Sequence, residues 1–131
     1  MIDVIIIDDD DIVLLVERKM LQRCGVAKDP ISFKEGKIAL EFIENNIKNR
    51  LLILLDINMP KMNGWEFLTH LENLDLNDEI YVIMVTSSID QYDKDIAKQY
   101  SSVIGFIEKP ITTHNCEKIK SMKEICGYFK P

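Results

Sequence analysis

Four consecutive acids, Asp8 to Asp11, follow the apolar run Val4–Ile7, and another acid, Asp56, closes a second run, Leu51–Leu55. Thr86 ends a third, Ile80–Val85, and Lys109 stands just beyond a fourth, Val103–Ile107. Adjacent carboxylates repel, so a chain that clusters them has a use for a positive charge there. Mg²⁺, a hard cation, takes a few carboxylates together with waters and a phosphate oxygen. A carboxylate beside such an ion is also a nucleophile toward phosphorus and gives an acyl phosphate. Phosphoryl transfer otherwise needs positioning and positive charge around the equatorial oxygens. Mg²⁺, the Lys109 ammonium and the Thr86 hydroxyl could each take one of those oxygens.

This chemistry requires the four positions to share one edge. Short, continuous apolar runs suit strands buried on both faces, as in a parallel sheet. Helical spacings lie between them: Ile12, Leu15, Val16, Lys19 and Met20, stopping near Gly25; Ala39, Phe42, Ile43 and Ile47; Trp65, Leu68, Leu71 and Leu74. Ser88 with Gln91 reads as a capping box opening a fourth helix, with Tyr92, Ile96 and Tyr100 on one stripe. A fifth helix is expected over Thr113–Tyr128, with Cys116, Ile119, Met122 and Cys126 inward. Ile31 and Phe33 alternate in a weak strand. Strands alternating with helices define an α/β sheet covered on both faces. In such sheets ligands bind at the carboxyl ends of the strands, where all four chemical positions fall. Taken singly, each has a plainer reading: a helix cap for the acids and threonine, a solvated turn for the lysine.

Composition narrows the function classes. The chain has 131 residues, 47% hydrophobic, and a net charge of −6, enough for a single core and no more. An acidic balance without a basic stretch argues against nucleic-acid binding and against anionic membranes. No apolar run approaches ~20 residues and the N-terminus lacks the basic segment of a signal peptide, so a small cytoplasmic domain is expected. Cys24, Cys116 and Cys126 are odd in number and lack CxxC spacing, so reduced structural thiols are expected. Residues 1–131 read as one domain, with no output domain.

The segments "IIIDDDDIV", "LLILLDINMPKMNGWEFL", "VIMVTSS" and "FIEKP" resemble, in order and spacing, the signature blocks of the bacterial two-component response-regulator receiver domain, in its stand-alone, CheY-like form. The resemblance covers essentially the whole chain. It implies a flavodoxin-like doubly wound (βα)5 sandwich with a five-stranded parallel sheet of order 2-1-3-4-5. It also implies roles. Asp56 would be the phosphoacceptor. Asp8, Asp9, Asp56 and the backbone carbonyl of Asn58 would hold Mg²⁺ (or Mn²⁺). Thr86 would bind the phosphoryl group and move inward on activation, and Lys109 would pair with Asp56 or its phosphate. Ser87 would leave the pocket open, Phe106 would be the switch aromatic, and the bond preceding Pro110 would be cis. The donor would be a sensor histidine kinase or a histidine phosphotransfer protein. A downstream protein would bind the face made by the fourth helix, fifth strand and fifth helix, which includes Tyr92, Lys98, Lys109 and Lys118.

Asp11 stands where many receivers have proline; of its two readings, a further aid to cation binding or a solvated side chain, the second is favoured. By the same resemblance, Ser88 would bear on the rate of dephosphorylation. Two other functions compete with a phosphorylation switch. A Mg²⁺-dependent phosphohydrolase usually needs a second acid two residues after its nucleophile, where this chain has Asn58. A receiver-like binding module working without phosphate needs none of the acceptor residues that are present here.

Overall fold

The computed structural model describes residues 2–47, 50–74, 76 and 79–129. Five strands, β1 (Asp3–Ile7), β2 (Ile31–Phe33), β3 (Arg50–Asp56), β4 (Glu79–Thr86) and β5 (Val103–Glu108), alternate with five helices. The helices are α1 (Asp11–Arg23), α2 (Gly36–Asn46), α3 (Gly64–Asn73), α4 (Gln91–Ala97) and α5 (Thr113–Ser121). The strands are all parallel, in the order β2-β1-β3-β4-β5. Chain order and spatial order reverse beside β1, so the loops after β1 and β3 diverge to opposite faces and leave a crevice at their carboxyl ends.

Alternation along the strands divides the core in two. Ile5, Ile7, Leu51, Ile53 and Leu55 face α2 and α3, meeting Ala39, Ile43, Phe67, Leu68 and Leu71. Val4, Ile6, Leu52, Leu54, Ile83 and Val85 face α1 and α5, meeting Leu14, Leu21, Cys116 and Ile119. Both faces of β1 and β3 are therefore apolar, which explains why their sequences run apolar without a break.

Several local expectations are corrected. The buried stripe of α1 is Leu14, Glu17 and Leu21. Ile12, Leu15 and Val16 are exposed by 73%, 50% and 43%. The Asp10 side chain accepts from the N–H groups of Ile12 and Val13 and fixes where the helix starts, hence its phase. Five apolar residues in a row, Ile12 to Val16, cannot fix that phase by themselves. Helix α4 is capped by Asp90, whose carboxylate accepts from Asp93 N–H at 2.8 Å, and not by Ser88. Tyr92 is 74% exposed, as a residue of the α4–β5–α5 surface should be. The last helix ends at Ser121, and a short 3₁₀ turn, Cys126–Phe129, follows it. Cys24 and Cys116 are joined in a disulfide, not held as free thiols, because the end of α1 packs against α5 and brings their Cα atoms to 6.3 Å. Cys126 is free. Among the described residues no helix is long and apolar enough to cross a membrane.

Candidate functional site

Each polar residue at the carboxyl edge is placed by the strand that precedes it. Strand β1 carries the chain to Asp8, whose N–H donates to Phe33 O at 3.1 Å, so the ladder with β2 extends one residue past the strand. The Asp8 carboxylate is buried; Oδ1 accepts from Asp10 N–H at 2.9 Å, and Oδ2 lies 2.7 Å from Lys109 Nζ. Asp9 is exposed beside it, and Asp10 turns away to cap α1. Asp11 is also turned out, pairing with Lys34 at 3.1 Å.

Strand β3 ends in Asp56, only 4% exposed and in register with Val85 of β4. The loop beyond it folds back tightly. Gly64 N–H donates to Ile57 O at 2.8 Å, and Lys61 takes a left-handed conformation at φ 68°. Asn63 and Glu66 exchange side-chain bonds with each other's backbone N–H and open α3. A Cβ at Gly64 would sit 2.7 Å from the Asp56 carbonyl, so only glycine lets α3 begin this close to the acid. Asn58 is exposed on that loop, next to Asp56.

Thr86 is buried at the end of β4; its hydroxyl donates to Ser88 O at 3.2 Å and accepts from Ser88 N–H at 3.4 Å. Ser87 points to solvent. Lys109 N–H donates to Thr86 O at 2.8 Å, which extends the β4–β5 ladder and aims the lysine inward. Its Nζ bridges Asp8 Oδ2 and Asp56 Oδ1, at 2.7 and 3.1 Å. The Lys109–Pro110 bond is cis, and the turn buries Ile111 before Thr112 caps α5. Phe106, half-buried on β5, packs against the α2–α3 side of the core.

The electrostatics are those of a cation site. Burial, and then the neighbouring charge of Asp8, push the Asp56 carboxyl up to about 6, against the opposing pull of Lys109. Burial by itself would lower the Lys109 ammonium, but the two carboxylates around it hold it above the ordinary lysine value. Carboxylate oxygens of Asp8, Asp9 and Asp56 lie within 4.8 Å of one another, close enough to share one ion. Asp8 Oδ2 is fully buried without a well-aligned hydrogen bond, compensated only by the lysine charge. An oxygen-only donor set with a spare buried lone pair fits a hard divalent cation.

Two further acids were not singled out in the sequence. Glu17, 3% exposed, lies on the inward stripe of α1 and lines a cleft of about 320 Å³ with Ile12, Val16, Lys109, Pro110 and Ile111. Burial, followed by the charge of Asp8, pushes it up to about 8. Only the helix phase set by Asp10 could have revealed it. Glu108, at the tip of β5, accepts from Ile89 N–H at 3.0 Å.

A doubly wound parallel sheet with carboxylates, a hydroxyl and an amine converging at its switch point defines a class of α/β protein whose carboxyl-edge crevice is the usual ligand site. The chain belongs to the response regulator receiver domain family, whose model matches residues 4–120. Among curated relatives, the chemotaxis protein CheV1 of Helicobacter pylori is 30% identical over 98 residues, 72% of this chain. The sensor histidine kinase CheAY of the same organism is 30% identical over 107 residues, 82% of this chain. The chain spans 30% of CheV1's length and 13% of CheAY's. A two-component response regulator from Legionella pneumophila superposes with a TM-score of 0.74 at 28% identity, covering 91% of this chain and 95% of that one.

Proposed function

We propose that this receiver is a phosphoacceptor switch in which Asp56 takes a phosphoryl group from a protein phosphohistidine. The observation that carries this reading is the position of Asp56: nearly buried, within the three-acid cluster, and 3.1 Å from Lys109. One Asp56 oxygen attacks phosphorus, the P–N bond to the donor imidazole breaks, and the imidazole leaves with its electron pair. Lys109, already at the acceptor carboxylate, stays to neutralise the arriving phosphoryl oxygens. Thr86, buried at the end of β4, turns its hydroxyl to a third oxygen. Asp8, Asp9, Asp56 and the Asn58 carbonyl would hold Mg²⁺, which supplies charge neutralisation to the phosphoryl oxygens when bound. The domain catalyses only its own phosphorylation and slow hydrolysis, and phosphate shifts an equilibrium between two conformations.

The donor side is suggested by α1. Ile12, Leu15 and Val16 form an exposed apolar face beside the acid edge, and the cleft next to Lys109 continues it. A sensor histidine kinase or histidine phosphotransfer protein, presenting its histidine from an amphipathic helix, would cover this face and point the phosphohistidine at Asp56. The downstream protein would use a separate surface, α4–β5–α5, where Tyr92 projects.

The test is incubation with acetyl phosphate and Mg²⁺ followed by intact mass measurement, on the native chain and on Asp56→Asn. The native chain is expected to gain one phosphoryl group and the variant none. Equal gain by the variant would move the acceptor elsewhere.

A further inference from the structure

We propose that Glu108 is a positioning residue for Thr86: its carboxylate latches the loop after β4 and so sets how readily the hydroxyl reaches a phosphoryl group on Asp56. The inference rests on the phosphoacceptor reading above. A hydroxyl has one proton to donate, and Thr86 gives it to Ser88 O at 3.2 Å, within its own loop. The same oxygen accepts Ser88 N–H at 3.4 Å. To donate to a phosphoryl oxygen, Thr86 must release Ser88 O, and in the proposed switch residues 87–89 shift with it.

The neighbouring bond resists that movement. Ile89 N–H donates to Glu108 Oε1 at 3.0 Å, tying the middle of the loop to the end of β5. The anchor is firm: Glu108 is the register partner of Thr86, and Lys109 N–H donates to Thr86 O at 2.8 Å. The Glu108 end of the latch is therefore set by the β4–β5 pair, and the other end lies three residues beyond β4. One residue beyond Ile89, Asp90 caps α4 at 2.8 Å to Asp93 N–H, so the latch also holds the start of that helix. Glu108 and Lys109 are consecutive. One strand end thus supplies the amine for the phosphoryl group and the acceptor that keeps the hydroxyl away from it. A bond present in one conformation and absent in the other shifts their populations by its own strength.

The experiment compares the native chain with Glu108→Ala and Glu108→Gln. Glutamine keeps an acceptor oxygen without the charge; alanine removes both. Two quantities are measured: beryllofluoride affinity in Mg²⁺ by titration calorimetry, and Ile89 amide exchange by NMR without fluoride. For Glu108→Ala, about fivefold tighter beryllofluoride binding and about tenfold faster Ile89 exchange are expected. Glu108→Gln should stay within about twofold of native on both. Equal tightening in the two variants would assign the effect to charge and overturn the latch. So would faster Ile89 exchange without tighter binding. Failure of the acceptor reading looks different: no beryllofluoride binding by the native chain, which overturns both proposals.

Discussion

Replacing Glu17 by glutamine isolates the consequence of burying a carboxyl under the acid edge. Glu17 is 3% exposed, and burial with the charge of Asp8 pushes it from 4.5 up to about 8. In the unfolded chain it returns to its ordinary value. Between pH 4.5 and 8 the native state therefore holds a proton that the unfolded state has lost, and stability falls as pH rises. The contribution is complete below pH 4.5 and gone above the folded value. Each pH unit in the window costs about 1.4 kcal/mol, so by pH 7 the loss is roughly 3 kcal/mol. Glutamine is neutral throughout and nearly isosteric. In chelator, with the disulfide intact, urea unfolding at pH 5, 6, 7 and 8 should show Glu17→Gln gaining on the native chain at each step, with roughly 3 kcal/mol between them by pH 7. Asp56, raised to about 6, slopes the same way but is present in both proteins and cancels from the difference. Parallel stability profiles across this range would mean that Glu17 is ionised and solvated in the native state, and the reasoning would fail.

Other perturbations separate folding from function. Gly64→Ala places a methyl 2.7 Å from the Asp56 carbonyl, so a loss of about 1–3 kcal/mol in urea unfolding, with slower labelling by acetyl phosphate, is expected. Reducing the Cys24–Cys116 disulfide opens a loop of sequence separation 92; thermal unfolding with and without reductant should reveal a loss of up to about 4 kcal/mol. Ile12→Asp with Val16→Asp puts charge on the exposed face of α1 and should slow phosphotransfer from a histidine kinase more than tenfold (about 1.4 kcal/mol or more of donor binding) while leaving acetyl phosphate labelling within about twofold. Equal slowing with both donors would take the docking face away from α1.

The main strands and the positions of the edge residues were legible because they rest on local signals. Continuous apolar runs need a sheet covered on both faces, and a polar residue ending such a run has to emerge at its carboxyl edge. Asp8, Asp56 and Thr86 follow from that alone, and Lys109, one residue beyond Glu108, reaches the same edge because its N–H continues the ladder to Thr86 O. Strand order came from resemblance to a family, since apolar runs carry no record of which neighbour they choose.

What stayed hidden depends on phase and approach. Five apolar residues from Ile12 to Val16 allow several inward faces. Packing on the sheet, with the Asp10 cap, chose the one that buries Glu17 and exposes Ile12. The joining of Cys24 to Cys116 and the reach of Glu108 to Ile89 required distant segments to meet, and spacing along a chain says nothing of that. The sequence by itself determined which chemical groups reach the edge, because burial periodicity is local. Only the tertiary structure decided which of them touch, because a contact at 3 Å depends on helix phase, loop closure and strand register acting together.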